Sequence, residues 1–426
     1  MLMLAIFAAL VAMICINVPI AIGLALAGVL GLLVTEGADS LVTIALDMYD
    51  GSTKFSLIAI PMFVLAGAIM NAGGITDRLI NFVSAIIGFV RGGLAMVNIG
   101  VSLFFAEISG SAVADVAAMG SILIPQMKKR GYSKELSAAV TSSSASLAII
   151  IPPSIPMILY AASANTSVEQ LFVAGVVPGL LGAFGLMMVA YIFARRYNLP
   201  TEEAFNIPRL RETFMEALPA FTLPVIILGG IFGGFVTATE AAGLAVIAAI
   251  VVSVWYRQID IAHLRRAMLD GGMQTAVVML LVAASVLMGG FLTRAQIPQQ
   301  LAQGILNITD QQWMILLILN FFFLVIGFFL HSAAAIILVV PIVIPLITAA
   351  GIDPVHFGLV VTLNLAIGQQ TPPVASVLIT SCAVARANIW EVSKVNIWFV
   401  MVLLAVLLLC TYVPSVPLFL VEYFYR

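Results

Sequence analysis

Ile149-Ile-Ile-Pro-Pro-Ser154 and, 220 residues further on, Gln369-Gln-Thr-Pro-Pro-Val374 interrupt two long apolar runs at matching places. The register holds on either side without a gap. Pro125 falls on Pro345, Gly131 on Gly351, Pro152 on Pro372 and Pro153 on Pro373, and Ala114, Ile124 and Ile158 fall on Ala334, Ile344 and Leu378. Proline and glycine fix backbone geometry, so a repeat carried by them is a repeat of shape. Chance coincidence in an apolar chain accounts poorly for three prolines and a glycine in one register.

Working outward, each copy has the same internal order. An amphipathic stretch comes first, with Ile75, Leu79, Ile80, Phe82 and Val83 in copy one and Ile297, Leu301, Ile305 and Leu306 in copy two. An apolar segment follows, interrupted near its middle by Ile108-Ser-Gly-Ser111 or by Gly327-Phe-Phe-Leu-His-Ser332, and it ends at Pro125 or Pro345. The proline-broken run closes the copy.

The chain has 426 residues, 62% apolar and 9% charged, where a soluble domain carries about 25% charged residues. Leu2–Val34, Leu171–Ala194, Thr237–Trp255 and Lys394–Tyr412 each reach the roughly 20 residues that cross a hydrocarbon core. The partner dictated by composition is a lipid bilayer. The N-terminus lacks the basic n-region and cleavage site of a signal peptide and reads as a retained helix. A net charge of −2 implies no nucleic-acid partner. Cys15, Cys382 and Cys410 sit at unrelated spacings in apolar runs and support neither a disulfide nor a metal site. His263, His331 and His356 form no catalytic or metal-ligand spacing, so the chain reads as no enzyme.

Basic residues flank membrane segments on the cytoplasmic side. The first interrupted segment has Arg78 and Arg91 before it and Lys128, Lys129, Arg130 and Lys134 after it, so both ends are expected in the cytoplasm. The second lies in a stretch without Lys or Arg from Arg294 to Arg386, so both ends are expected outside. Each is then a re-entrant hairpin, and the two enter from opposite faces. The crossings between them, returning at Arg195-Arg196 and at Arg257, Arg265 and Arg266, give an odd number. The fold expected is an all-α polytopic membrane protein with inverted repeats, opposed re-entrant hairpins and proline-broken helices. Such backbone survives at membrane depth only against protein or a water-filled cavity, and in secondary transporters it holds substrate and ions.

Ser109-Gly-Ser-Ala-Val-Ala-Asp-Val-Ala-Ala-Met-Gly120, Ile124-Pro-Gln-Met-Lys-Lys-Arg-Gly-Tyr132, Ile149–Ser154 and Gly368-Gln-Gln-Thr-Pro-Pro373 together resemble the large membrane subunit of the TRAP (tripartite ATP-independent periplasmic) transporters. The resemblance covers nearly the whole chain. It implies a bacterial inner-membrane protein with a small membrane subunit and a periplasmic substrate-binding protein as partners. It also implies sodium-driven uptake of a small organic acid, sialic acid or a C4-dicarboxylate, and an elevator-type division into scaffold and transport domain. On that reading 1–72 are N-terminal scaffold helices, 73–165 and 293–390 the two transport-domain repeats, 166–292 connecting and scaffold helices, and 391–426 a C-terminal helix. The alternative is a single-component divalent-anion/sodium symporter, which shares the hairpin logic and needs no partner.

Sodium takes hard oxygen ligands. In copy one these are expected from Ser109, Gly110 and Ser111 at the tip, Asp115 one turn on, and Ser144 and Ser146 before the break. In copy two they are expected from Gly327, His331, Gly368 and Thr371. Substrate is expected between the tips and breaks, at Ser111, Pro152, Pro153, Ser154, Ser332, Thr371 and Pro372. Each has a plainer reading. Serines in membrane helices serve close packing, and a lone histidine is often a hydrogen-bonded structural residue. Asp115 and Glu107 can cap hairpin backbone instead of holding a cation, although an intramembrane carboxylate usually marks a pathway. Glu240 after Thr237 reads as a helix cap.

Overall fold

The computed structural model describes residues 18–201 and 204–425, with Ile6, Ala9, Ala12, Met13 and Ile16; the side chains of Leu41, Thr43, Glu107, Ile108 and Ser109 lie outside that description. Most of the expected first span before Val18, with Cys15, lies outside it too. Every regular element among the described residues is helical. Among the described residues eight helices are long and apolar enough to cross a membrane.

One packed group is formed by α1 (Ile20–Glu36), α2 (Ser40–Ser52), α3 (Ala59–Ala72) and the later α11 (Ala238–Trp255) and α12 (Ile261–Arg294), with α12 against α1, α2 and α3. Its small residues let backbones approach closely. A Cβ on Gly28 would stand 2.8 Å from backbone atoms of Leu287 and Met288. At one end of this group Arg294 pairs with Glu36 at 2.5 Å and Asp47 at 3.3 Å.

Copy one is α4 (Ile75–Ile87), α5 (Gly93–Ser109), α6 (Ala112–Lys129), α7 (Lys134–Ala145) and α8 (Ile155–Ala164). After α9 (Val168–Arg196) and α10 (Ile207–Pro224, continued by a π turn and a short helix to Phe232) come α11 and α12. Copy two is α13 (Ile297–Leu306), α14 (Gln312–Phe329), α15 (Ser332–Ala349), α16 (Pro354–Gly368) and α17 (Ser376–Ala385), followed by α18 (Ile389–Tyr412) and α19 (Ser415–Tyr425). Both prolyl bonds, Pro152–Pro153 and Pro372–Pro373, are cis. Gly131 and Gly351 both take positive φ, at 86° and 67°, as the chain leaves a hairpin. Ser133 and Asp353, also 220 apart, cap the helices that follow, accepting from Leu136 N and from Val355 N and His356 N. Such caps stabilise a helix by about 1 kcal/mol each. The expected cap at Thr237 is a full capping box with Glu240.

The hairpins enter from opposite sides, as the contacts of their far ends show. Gln312 Nε2 donates to Ala350 O at 2.8 Å, closing the far end of the second hairpin. That end lies beside the last turns of α8, where Tyr160 Oη donates to Pro354 O at 2.8 Å. The far end of the first hairpin lies instead beside the end of α17, where Lys128 Nζ donates to Ala385 O at 3.3 Å. Lys54 does the same at the other side, donating to Ala162 O of α8 at 2.8 Å. Both lysines meet helix C-termini, whose free carbonyls favour a cation.

Val168–Arg196, which the sequence assigns to the connecting helices, packs on α18, α19 and the first hairpin. Gly327 and Gly368 bring α14 and α16 into backbone contact. A Cβ on Gly368 would stand 2.5 Å from Gly327 Cα.

Two outcomes follow. Cysteines placed at the exposed positions Lys129 and Ala349 are expected to react with impermeant thiol reagents from opposite faces of the membrane; reaction from one face would make the repeats parallel. Gly368→Val is expected to lower detergent stability by about 1–3 kcal/mol, the range for overpacking a close contact, read as a fall in the melting temperature of the purified protein.

Candidate functional site

Four helices begin at one place. A cavity of about 550 Å³ is lined by Ala112, Val113 and Ala114 in the first turn of α6, Ile155 and Pro156 in that of α8, Ser332 and Ala333 in that of α15, and Ser376 at the start of α17. The partial positive charge of a helix N-terminus extends over about the first turn. Four converging N-termini bring positive dipole ends to the cavity with no lysine or arginine in its lining.

Local sequence explains each start. Gly110, at φ 58°, turns the chain after α5, and Ser111 then caps α6, its Oγ accepting from Ala114 N at 3.5 Å. The repeat register places His331 on Ser111, and His331 has the same task, its Nδ1 accepting from Ala333 N at 3.4 Å. Ser154 Oγ accepts from Met157 N at 3.4 Å and donates to Ile149 O at 2.7 Å. That carbonyl and the Ala148 carbonyl lose their helical donors because Pro153 and Pro152 carry no N–H. In copy two the chain heals itself differently. Thr371 N donates to Gly368 O at 3.0 Å and Val377 N to Gln369 O at 3.2 Å.

Of the expected residues, Gly110, Ser111, His331 and Ser332 line the cavity together. Ser109 ends α5 beside Gly110, and its side chain is outside the described residues, as is that of Glu107. Asp115 is 1% exposed in the first turn of α6, where the helix dipole favours a carboxylate. Ser144 and Ser146 stand behind the wall. Ser144 Oγ donates to Asn98 Oδ1 at 3.0 Å and Ser146 Oγ to Ser142 O at 3.2 Å. Pro152, Pro153, Ser154, Thr371 and Pro372 form the breaks without lining the cavity, Thr371 Oγ1 donating to Ile367 O at 3.0 Å. Gly327 and Gly368 serve the helix crossing described above.

The sequence reading missed Gln274, Gln369 and Ser376, all in the cavity wall. Gln274 comes from α12, so the group that holds α1, α2, α3, α11 and α12 contributes one amide to a cavity otherwise built mainly by the repeats. Gln369 Oε1 accepts from Ser376 Oγ at 3.2 Å, joining the two sides of the second break. It also missed the buried amides behind the wall. Ser143 Oγ lies 2.9 Å from Gln370 Oε1 and 2.7 Å from Asn396 Oδ1, with one proton shared between them, while Asn396 Nδ2 donates to Gln370 O at 3.2 Å. Amides inside otherwise apolar runs were the available signal.

For sodium the donors present are of the right kind. Hydroxyls, side-chain amide oxygens and carbonyls freed by proline surround the breaks, and the carboxylate of Asp115 lies one turn from the first tip. Among the described residues no cluster of three or more His, Cys, Asp and Glu side chains is placed to hold a transition metal.

Residues 7–416 match the family described as tripartite ATP-independent periplasmic transporter, DctM component. A C4-dicarboxylate TRAP transporter large permease protein of Pseudomonas aeruginosa is 38% identical, over 93% of this chain and 92% of that one. An isethionate TRAP transporter permease protein of Oleidesulfovibrio alaskensis, DctMQ, is 38% identical over 95% of this chain and 64% of its own length. Among solved structures the YdaH transporter of Alcanivorax borkumensis shares the fold, with a TM-score of 0.65, 14% identity and 89% of each chain covered. The chain belongs to the tripartite ATP-independent periplasmic transporter family as its DctM component, a multi-pass helical protein of the bacterial inner membrane and a transporter subunit, not an enzyme.

Proposed function

We propose that this subunit carries a small organic acid across the inner membrane in symport with sodium, working with a small membrane subunit and a periplasmic binding protein that delivers the acid. The observation that carries the reading is the convergence of four helix N-termini on one cavity between opposed hairpins. A carboxylate placed there gains from the N-terminal dipoles without a buried basic side chain. The helices that end at the same place, α5, α14 and α16, together with the 3-10 turn Ser146–Ile149 that continues α7, present carbonyl dipoles of the opposite sign. Those ends suit sodium. Anion and cation thus occupy the two kinds of terminus created by one set of breaks, the arrangement that couples them in secondary transporters.

The substrate is proposed to be a C4-dicarboxylate or sialic acid. The names of the C4-dicarboxylate and isethionate relatives support an anion as the class. A tripartite family and the longer DctMQ relative support the membrane partner.

Proteoliposomes holding this chain, its small partner and the binding protein are expected to accumulate the acid under an inward sodium gradient. The uncharged amide of the same acid should not be taken up. Equal uptake without sodium sinks the coupling, and full uptake by this chain alone restores the single-component symporter.

Asp115→Asn keeps the shape of the side chain and removes its charge. It is expected to raise the sodium concentration for half-maximal uptake about tenfold, the scale of one charge-assisted contact. A fall in detergent stability with unchanged sodium dependence would leave Asp115 a structural role only.

A further inference from the structure

Away from the transport cavity, two hollows on the scaffold side share a wall. The first is an apolar groove of about 530 Å³ between α10 and α11, lined by Pro219, Thr222 and Ile226 on one side and by Leu244, Ile247, Val251 and Trp255 on the other. The second, of about 450 Å³, is polar and holds Asp77, Arg78, Asn81, Glu216, Tyr256 and Gln258. Pro219 and Trp255 line both, so the hollows adjoin.

The dimensions match one lipid leaflet. Leu244 to Trp255 is eleven helical steps, about 16 Å, and half of a hydrocarbon core is about 15 Å. Trp255 is 76% exposed at the end of the groove, the depth where membrane tryptophans gather. Arg257, Arg265 and Arg266 follow it, which sets this end at the cytoplasmic face.

The charges then select a headgroup. Arg78 lies 3.8 Å over the Tyr256 ring and donates one of its five N–H groups to Gly74 O at 2.9 Å. The other donors of the fork are available to a phosphate. Asp77 and Glu216 place two carboxylates in the same pocket. A purely anionic headgroup would meet those carboxylates without compensation. We propose that the paired hollow binds one phospholipid of the cytoplasmic leaflet whose headgroup carries a primary ammonium, with an acyl chain in the groove, the phosphate on Arg78 and the ammonium between Asp77 and Glu216.

The site sits at a joint between helices. Gly74, at φ 68°, lines the pocket and separates α3 from α4, the arm that leads to the first hairpin. A lipid held there ties α4, α10 and the end of α11 together at the point where the arm leaves α3.

The test is a binding measurement on the full-length chain, independent of transport. After delipidation, native mass spectrometry follows the titration of phosphatidylethanolamine, phosphatidylcholine and phosphatidylglycerol. One phosphatidylethanolamine is expected to bind about tenfold more tightly than either of the others, the scale of one charge-assisted hydrogen bond. Arg78→Gln should weaken all three lipids, which share the phosphate, and Glu216→Gln should remove the preference. Ile247→Trp, at a position 60% exposed, should block the groove without touching the core. It also covers the case in which loss of the Arg78–Tyr256 contact unfolds the first variant. Equal binding of the three lipids overturns the proposal, as does a preference that survives Glu216→Gln. Displacement of the lipid by the small membrane subunit, with that subunit crosslinking to position 247, would assign the groove to protein and overturn it equally.

Discussion

Backbone polar groups at membrane depth must be satisfied from within the protein, and this fold turns that constraint into its working part. A continuous helix hides its amides and carbonyls from lipid. Pro152-Pro153, Pro372-Pro373, Gly110 and the Leu330-His331 turn each open a helix in mid-chain. They leave donors on one side of the opening and acceptors on the other. All the openings meet at one cavity. The lining is mostly apolar, and the polarity the cavity has comes from where helices stop more than from which side chains face it.

Openings of this kind are held only by a rigid surround. The buried amide and hydroxyl network supplies it. Asn98 Nδ2 donates to Thr141 Oγ1 at 2.7 Å and Asn98 accepts from Ser144, fastening the first hairpin to the helix before the first break. The second copy has the equivalent fastening, with Asn364 Nδ2 donating to Asn320 Oδ1 at 2.7 Å and Asn320 Nδ2 to Thr411 Oγ1 at 3.1 Å. Ser381 Oγ donates to Ala138 O at 2.6 Å, and the Ser143–Gln370–Asn396 cluster ties the first broken helix to the second. Such bonds are strong where no water competes, and a half-satisfied network would be a liability.

How much of this was legible follows from which residues act on the backbone. Proline and glycine act wherever they stand, so Pro125, Gly131, Pro152 and their partners 220 residues on revealed the repeat and its breaks without any knowledge of packing. Charge acts at the membrane edge, so Lys128, Lys129 and the Arg294–Arg386 gap revealed opposed hairpins. Side-chain direction was not legible. Leu136–Ala145 and Val355–Gly368 are buried on every face, so their pattern carries no period to say which residue meets the cavity. That is why Ser144 and Ser146 were expected as ion ligands and stand outside the cavity lining, while Gln369 was passed over inside a motif already singled out. Gln274 was invisible for another reason. It belongs to α12, outside both copies, and only the packing of one group on the other brings it to the wall.

The two copies share backbone and differ in chemistry at corresponding places. Ser111 stands where the second copy has His331, Ser144 where it has Asn364, and Ile149 where it has Gln369. Near the first tip and break lie small hydroxyls, a freed carbonyl and Asp115 in the first turn of α6. Near the second lie amides and an imidazole, longer groups that carry N–H donors. Symmetric geometry repeats the backbone openings and their dipoles, so both copies bring the same kinds of helix terminus to the cavity. Unlike side chains make the surroundings of the two breaks chemically different. Duplication of the backbone provides the first property, and divergence at those three pairs of positions provides the second.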